Sequence, residues 1–468
     1  MADARGFVTM KEKADVSSLK GGVTAVRIAR MPMPVPLCFL RFLRLAIIAS
    51  LILVCGAAFA QRLSPLASAP EWARLEKFQG TMTRAEFVRL LDTIYAPGGA
   101  AAGMIEVRKK DAVIVKTGMP MLTPLQEFVL RFAKEGTRTK PLKKTWRTPA
   151  ELPSAPKDRP LKDVQIALDP GHIGGDWALM EGRSFQLAGD KPVREGEMTL
   201  LVAKLAAIKL RALGAEVSLL RTDNKPSSRF TVDALRPVAR RQLDIPGIPA
   251  ARENYDGPND PQKTRTVQWE AERLFYRVAE IHERARKIAA LKPDIAVCIH
   301  FNADDWRDAE KPAFTPNNHL HVMVNGCYSA DELLFDDQRF DMLMRLLGRV
   351  HEGELPAAAP MANALAKATG LPPFTYLGGN AVRAGANEYV WARNLLANRL
   401  YECPVVYLEP WCMNNAETYA RIQAGDYEGE REVAGKMRRS IFREYADGIV
   451  AGLRANFSAR RQAGSVPK

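Results

Sequence analysis

The chain has 468 residues, of which 47% are hydrophobic and 26% are charged. This balance excludes a wholly disordered or fibrous protein, and the length predicts one large domain with smaller additions. The formal net charge of +14 favours contact with polyanionic surfaces such as cell wall or anionic lipid. We do not expect nucleic acid as a partner, because the sequence has no nucleic-acid-binding motif and no basic stripe interleaved with aromatic residues.

Residues 1–60 are predicted to be an N-terminal extension and a signal peptide. Arg41 and Arg44 precede an apolar run that ends in Ala58-Phe59-Ala60, a pattern typical of a signal-peptidase site. The run is shorter than the roughly 20 apolar residues of a membrane-spanning helix. We therefore expect cleavage before Gln61, export to the periplasm or cell wall, and no stable membrane span after processing. A permanent membrane anchor is the alternative.

The rest of the chain divides by composition. Residues 61–139 are predicted to form a small domain of unknown role, and residues 140–162, rich in Pro, Lys and Arg, a linker. Residues 163–455 form the predicted main domain, and 456–468 a C-terminal tail. Two stretches of the main domain fit its pattern less well and are taken as insertions, at about 222–263 and 328–395.

In the small domain, a helix is expected from Trp72 to Ala96, with Thr83 and Glu86 forming a capping box. Two short strands near 105–107 and 112–115 and a second helix over 127–134 follow.

In the main domain, apolar strands alternate with long helices. Strands are predicted at 164–169, 216–220, 294–300, 319–325 and 405–409, and helices at 199–213, 266–291 and 432–453. This alternation indicates an α/β fold with a layered, largely parallel sheet and helices on both faces, plus a small N-terminal α+β region.

Four cysteines lie beyond the predicted signal peptide: Cys298, Cys327, Cys403 and Cys412. They lack CxxC spacing, which argues against a zinc knuckle. Cys298 and Cys403 fall in or beside apolar strands and are expected to be core residues.

Polar side chains end three of the predicted strands. His172 follows the first strand, His300 ends the strand that starts near Asp294, and Glu409 ends the last strand. Ligands of open α/β sheets bind at the carboxyl ends of the strands, so these side chains are expected to converge. A buried carboxylate at Glu409 is also costly without a partner.

A fourth candidate, Glu195, precedes the helix at 199–213, with Glu197 and Glu181 as rivals. Two histidines and one carboxylate are a recurrent catalytic zinc arrangement, and a further carboxylate then acts as general base. Asp169 is expected either to orient His172 or to be a turn residue. His319 and His321 are expected at the surface.

Together these residues resemble the zinc-dependent N-acetylmuramoyl-L-alanine amidases of the bacterial cell wall, of the type named amidase-3. Glu195 matches the metal glutamate of that family by its distance from the Gly-Ala-x-Val turn at Gly214, which favours it over Glu197. The other segments that carry the resemblance are Ile166 to His172, Leu219 to Thr222, Arg284, Cys298 to Asn302, Pro404 to Glu409, and Asn414. The family usually has Gly-Gly directly after the first histidine, whereas Ile173 intervenes here.

The resemblance implies one Zn²⁺ held by His172, Glu195 and His300, with Glu409 as the general base. The implied substrate is peptidoglycan, cut between the lactyl group of muramic acid and L-alanine, and an activator or wall-binding protein is a further candidate partner. Two alternatives stay open: a zinc hydrolase of the same fold that acts on another amide or peptide, and a non-catalytic cell-wall-binding regulator. We expect the insertion at 328–395 to cover the cleft.

Overall fold

The structure, a computed structural model, describes residues 62–117, 125–136, 142–187, 189–305 and 313–463. The predicted N-terminal extension and signal peptide lie outside these ranges. Within them, no helix is both long and apolar enough to cross a membrane.

The N-terminal region pairs short helices with a three-stranded antiparallel sheet. Its helical segments are a 3₁₀ helix at Trp72–Phe78, helix α1 at Arg84–Leu90, a π-helical turn at Leu91–Tyr95 and a 3₁₀ turn at Pro97–Gly99. The strands are β1 at Ile105–Val107, β2 at Asp111–Val115 and β3 at Gln126–Arg131, in the order β1–β2–β3.

Two expectations for this region are wrong. The segment predicted as a helix over 127–134 is strand β3, because Phe128 and Leu130 alternate into the core while the backbone pairs with β2. The capping box is incomplete. The Thr83 hydroxyl accepts the Glu86 N–H at 3.3 Å, as expected of an N-cap, but the Glu86 carboxylate pairs with Arg349.

A seven-stranded sheet forms the centre of the molecule. Its strands are β4 at Gln165–Pro170, β7 at Glu216–Leu219, β8 at Ile295–Ile299, β9 at Leu320–Val324, β10 at Val382–Arg383, β11 at Val390–Ala392 and β12 at Val405–Pro410. Their order across the sheet is β10–β11–β9–β12–β8–β4–β7. Neighbours are parallel except for the β12–β9 and β10–β11 pairs. The predicted α/β class with a largely parallel sheet is therefore confirmed.

Helices surround this sheet and connect its strands. They are α2 at Trp177–Met180, α3 at Glu195–Ala212, α4 at Val232–Leu243, α5 at Val267–Leu274, α6 at Glu280–Leu291, α7 at Ala330–Leu333, α8 at Asp336–Leu347, α9 at His351–Thr369, α10 at Leu396–Leu400, α11 at Ala416–Gln423 and α12 at Ile441–Ala463. A π-helical turn at Phe275–Ala279 joins α5 to α6, and 3₁₀ turns lie at Pro149–Glu151 and Lys263–Arg265. Short hairpins pair β5 at Ser184–Phe185 with β6 at Val193–Arg194, and β13 at Glu430–Val433 with β14 at Lys436–Arg439.

The two faces of the sheet bury different side chains. Leu168, Val297 and Leu408 belong to the main hydrophobic core, which also contains residues of α3, α9 and α12. Ala167 and Ala296 face the opposite way, into a smaller cluster with residues of α6 and α10. This alternation buries both faces and explains why the strands read as continuous apolar runs.

The last helix begins later than predicted. Residues 430–439 form the β13–β14 hairpin, and the helix starts at Ile441. Ala434 and Gly435, the two turn residues, both have positive φ, as a tight two-residue hairpin loop requires. The charged residues of this segment resemble the exposed face of a helix, so the sequence pattern alone does not distinguish a helix from a hairpin.

The insertion at 328–395 extends the sheet and supplies α7, α8 and α9. Strand β11 pairs parallel with β9, and β10 pairs antiparallel with β11 at the edge. A buried ion pair between Arg345 and Glu354 links α8 to α9. Glu354 also accepts the N–H of Val405 at the start of β12, at 3.1 Å.

Replacing Glu354 with alanine should therefore destabilise the fold strongly. Arg345 is 3% exposed, so its guanidinium would be left buried without its counter-ion. The expected loss in the free energy of unfolding is about 3–5 kcal/mol, measured by denaturant titration. Glu106→Ala, which removes the exposed partner of Arg108, is the matched control and should leave the unfolding midpoint unchanged. Equal stability of Glu354→Ala and wild type would contradict the assigned role of the pair.

Candidate metal centre and active site

Three of the predicted side chains meet at the carboxyl edge of the sheet. Potential ligand atoms of His172, Glu195 and His300 all lie within 4.8 Å of one another. One oxygen of Glu195 (Oε2) is 3.2 Å from His172 Nε2, and the other (Oε1) is 3.1 Å from His300 Nδ1. Glu195 itself is only 1% exposed. The chain therefore places a buried carboxylate between two imidazoles that are 128 positions apart in sequence.

Glu195 is held by the first turn of α3, which begins four residues before the predicted start at Thr199. A Cβ on Gly196 would lie 2.3 Å from the backbone nitrogen of Gly174, so glycine is required for this close approach. The Thr199 hydroxyl donates to the carbonyl of Gly171 at 2.7 Å. The start of α3 is thus fixed against the loop after β4, and the helix dipole favours a carboxylate there.

His172 has a positive φ of 59° and a second carboxylate behind its ring. Its Nδ1 is 3.5 Å from Glu181, and the backbone N–H of Ile173 donates to the same carboxylate. Glu181, a rival for the metal glutamate in the sequence, therefore lies on the side of the imidazole opposite Glu195. This contact orients His172 so that Nε2 faces Glu195.

The carboxylate of Asp169 accepts hydrogen bonds from Arg284 at 2.8 Å and from Tyr401 at 2.5 Å. Arg284 also donates to the carbonyls of Pro170 and His172, each at 2.8 Å. Asp169 thus acts on the backbone around His172 through Arg284. Burial alone would lower the pKa of Arg284, but Asp169 and Glu280 raise it above its ordinary value, so the guanidinium stays charged.

His300 is fixed on three sides. Its ring stacks on Tyr407 at 4.4 Å, and the Tyr407 hydroxyl is 2.7 Å from Nε2, which leaves Nδ1 facing Glu195. The Tyr445 hydroxyl donates to the His300 carbonyl at 2.9 Å. On the remaining side lies Gly171, where a Cβ would be 2.2 Å from the imidazole. The Pro-Gly-His sequence after β4 therefore makes room for the second histidine.

The remaining rival, Glu197, lies outside the cluster. Its side chain is 41% exposed and pairs with Arg194 at 3.0 Å. Two positions along α3, just over half a helical turn, therefore separate a buried glutamate from a solvated one.

The electrostatics of the cluster favour positive charge. Burial alone would lower the pKa of His172, but Glu195 and Glu181 raise it above the usual value. Burial alone would raise the pKa of Glu195, but His172 and His300 hold this pKa well below the ordinary range. Arg183 adds one cationic neighbour, 3.7 Å from Glu195.

The donor set fits a zinc ion. Zinc in proteins binds imidazole nitrogen and carboxylate oxygen at about 2.0–2.2 Å, so tetrahedral N and O ligands lie about 3.4 Å apart. The nitrogen–oxygen separations here, 3.1 and 3.2 Å, are close to that distance. The supporting contacts from Glu181 and Tyr407 are those expected behind metal-binding histidines.

Glu409 lies near the end of β12, beside this cluster. Its Oε2 is 2.7 Å from Nε2 of His321, and the two residues are direct cross-strand partners of β12 and β9. Burial raises the pKa of Glu409, but His321 and His300 lower it, and the net pKa is below the ordinary value. With its side chain 20% exposed, Glu409 is an ionised carboxylate accessible to a small molecule.

The expectation of surface positions for His319 and His321 is wrong, since they are 7% and 2% exposed. Strand β9 runs antiparallel to β12, so its first residues lie at the edge where β4, β8 and β12 end. The signal in the sequence is two histidines alternating at the start of an apolar strand, but strand direction is needed to interpret it. The expectation that Cys298 and Cys403 are core residues is confirmed by their burial.

No protein-family model and no curated protein matches the sequence. Solved structures do resemble the chain. An N-acetylmuramyl-L-alanine amidase of Mycobacterium smegmatis is 17% identical, with a TM-score of 0.34 over 64% of this chain and 99% of that one. The corresponding amidase of Mycobacterium abscessus, in its apo form, is 18% identical, with a TM-score of 0.35 over 63% and 99%. An amidase of Clostridioides difficile, solved with a lipoprotein, is 14% identical, with a TM-score of 0.35 over 64% and 100%.

Gly171→Ala tests the packing of the two histidines. The added methyl group would overlap the His300 ring, so the ring or the backbone of Gly171 must shift. We expect a loss of about 1–3 kcal/mol in the free energy of unfolding, measured by denaturant titration. Gly379→Ala is the control, because its Cβ would contact nothing within 4 Å. A Gly171→Ala variant as stable as this control would contradict the packing argument.

Proposed function

We propose that the protein is a zinc-dependent N-acetylmuramoyl-L-alanine amidase that hydrolyses the amide between the lactyl group of muramic acid and L-alanine in peptidoglycan. The observation that carries this proposal is the buried Glu195 carboxylate between His172 and His300, with the ionised Glu409 at the end of a neighbouring strand. Two imidazoles and a carboxylate around one point, with a separate carboxylate nearby, suit metal-assisted amide hydrolysis.

In this proposal His172, Glu195 and His300 hold the zinc ion. When bound there, the ion supplies Lewis acidity toward water and toward the scissile carbonyl. The burial of Glu195 and the contacts that Glu181, Arg284 and Tyr407 make with the histidines hold this geometry before substrate arrives.

Glu409 acts as the base and then as the acid. Its carboxylate takes a proton from the attacking water as the water oxygen bonds to the lactyl carbonyl carbon. The same proton passes to the nitrogen of L-alanine as the C–N bond breaks, so one free carboxylic acid and one free amine result. His321 fixes the carboxylate by its contact with Oε2.

The remaining parts of the proposal rest on sequence. Residues 163–455 are the catalytic domain, and residues 61–139 are a small domain joined by the linker at 140–162. The pattern of residues 1–60 supports export to the periplasm or cell wall, where the substrate lies. An activator or wall-binding protein remains a candidate partner.

A second candidate function keeps the hydrolytic chemistry but changes the substrate to another amide or a peptide. It is favoured by the insertion at 328–395, which packs Phe374 and Tyr376 against the ring of His321, with ring centroids 4.9 and 5.5 Å away. These aromatic side chains are next to the partner of Glu409, where they would contact one end of a bound substrate.

Digestion of intact peptidoglycan with the full-length protein tests the proposal. We expect soluble stem peptides with a free L-alanine amino terminus, identified by mass, and complete loss of release after zinc chelation followed by its return on zinc addition. Release of other fragments would favour the second candidate. No hydrolysis of any amide by zinc-loaded protein would overturn the proposed activity.

Glu409→Gln should lower kcat by about 10²–10⁴-fold, because the amide cannot accept the water proton. Zinc content, measured by elemental analysis, should not change, since Glu409 is not among the three ligands. Glu197→Gln, the exposed carboxylate near Glu195, is the matched control and should retain wild-type activity. Full activity in Glu409→Gln would remove Glu409 from the mechanism.

A further inference from the structure

A second group of potential metal ligands lies on the same edge of the sheet. Ligand atoms of Asp304, His319 and Cys412 all lie within 4.8 Å of one another. Cys412 is fully buried and is a free thiol, and His319 is 7% exposed. None of the three is used in the proposed amidase chemistry.

The separation of Cys412 and His319 suits a tetrahedral ion. Cys412 Sγ is 3.5 Å from His319 Nε2. Zinc binds thiolate sulfur at about 2.3 Å and imidazole nitrogen at about 2.0–2.1 Å, which places tetrahedral S and N ligands about 3.5 Å apart. The two donor atoms therefore already have the separation that a shared ion requires.

The backbone around these side chains is tightly connected. The Asn414 side chain accepts the N–H of Asp304 at 3.0 Å and donates to its carbonyl at 2.8 Å. Asn318 accepts the N–H of Cys412 at 3.0 Å. Three segments that are distant in sequence are thus fixed relative to one another, so little conformational freedom remains to be lost on binding an ion.

A cysteine, a histidine and an aspartate also suggest a nucleophilic triad, but burial argues against it. Burial raises the pKa of the Cys412 thiol far above its ordinary value, so without a metal it stays protonated and unreactive.

We propose that Asp304, His319 and Cys412 form a second metal site that takes a zinc-like transition metal ion and is separate from the His172–Glu195–His300 site. On binding, the thiol loses its proton to solvent and the thiolate bonds to the ion. Cys412 follows Glu409 by three residues, and His319 precedes His321 by two. The ion would therefore fix the segments that carry the Glu409–His321 pair. The proposal does not depend on the amidase activity.

Cobalt substitution distinguishes the two sites. The His172–Glu195–His300 site contains no sulfur, so a thiolate-to-cobalt charge-transfer absorption in the near ultraviolet cannot arise from that site, and the Cys412 variant assigns it. We expect two equivalents of Co²⁺ to bind the full-length protein, with this absorption present. Cys412→Ser should remove the absorption and one equivalent, whereas Cys327→Ser, which alters another buried thiol outside the group, should retain both.

A second set of variants keeps the test valid if Cys412→Ser does not fold. His319→Gln and Asp304→Asn leave the thiol in place and should each weaken cobalt binding at this site at least tenfold while the absorption per bound ion remains. Glu195→Gln should remove the other equivalent and leave the absorption. Binding of a single equivalent without the thiolate absorption, or an absorption that survives Cys412→Ser, would overturn the second site.

Discussion

The buried carboxylate of Glu195 is the constraint on which the site depends. A lone carboxylate in a position that is 1% exposed is costly, so the fold must supply compensating partners. It does so with His172, His300 and the N–H of Phe301, which donates to the same carboxylate at 3.1 Å. Each of these partners comes from the end of a parallel strand, and the carboxylate comes from the first turn of α3. The site therefore requires that the sheet and this helix be correctly assembled.

Arg284 fixes the backbone around His172. It is 1% exposed, and its guanidinium connects Asp169 and Glu280 with the carbonyls around His172. The three glycines at 171, 174 and 196 serve the same end by allowing backbone and rings to approach more closely than a Cβ would permit. The Arg284 guanidinium and the three glycines thus hold the loop after β4, in which His172 has a positive φ. Rigidity of this kind is expected where ligand atoms must be positioned before an ion or substrate binds.

The direction of β9 decides which side chains lie beside Glu409 and Cys412. Because β9 is antiparallel to β12, its first residues lie beside the last residues of β12. His321 then faces Glu409 as a direct cross-strand partner, and His319 lies next to Cys412. The insertion at 328–395 continues the sheet through β11 and adds aromatic rings beside His321. One reversal of strand direction thus brings Glu409, His321, His319 and Cys412 to the same edge of the sheet.

The sequence by itself determined the fold class and the positions of most strands, because strand ends and helix register are local patterns. It also predicted that His172, Glu195 and His300 converge, and the structure brings these three side chains together. The sequence did not determine β3, the hairpin before α12 or the first turn of α3, where pairing and close glycine contacts decide the conformation. The sequence also did not predict that Glu181 lies behind His172, that Asp169 pairs with Arg284, or that His319 and His321 are buried. Those relations depend on which strands are neighbours and in which direction they run, and this information exists only once distant segments have packed together.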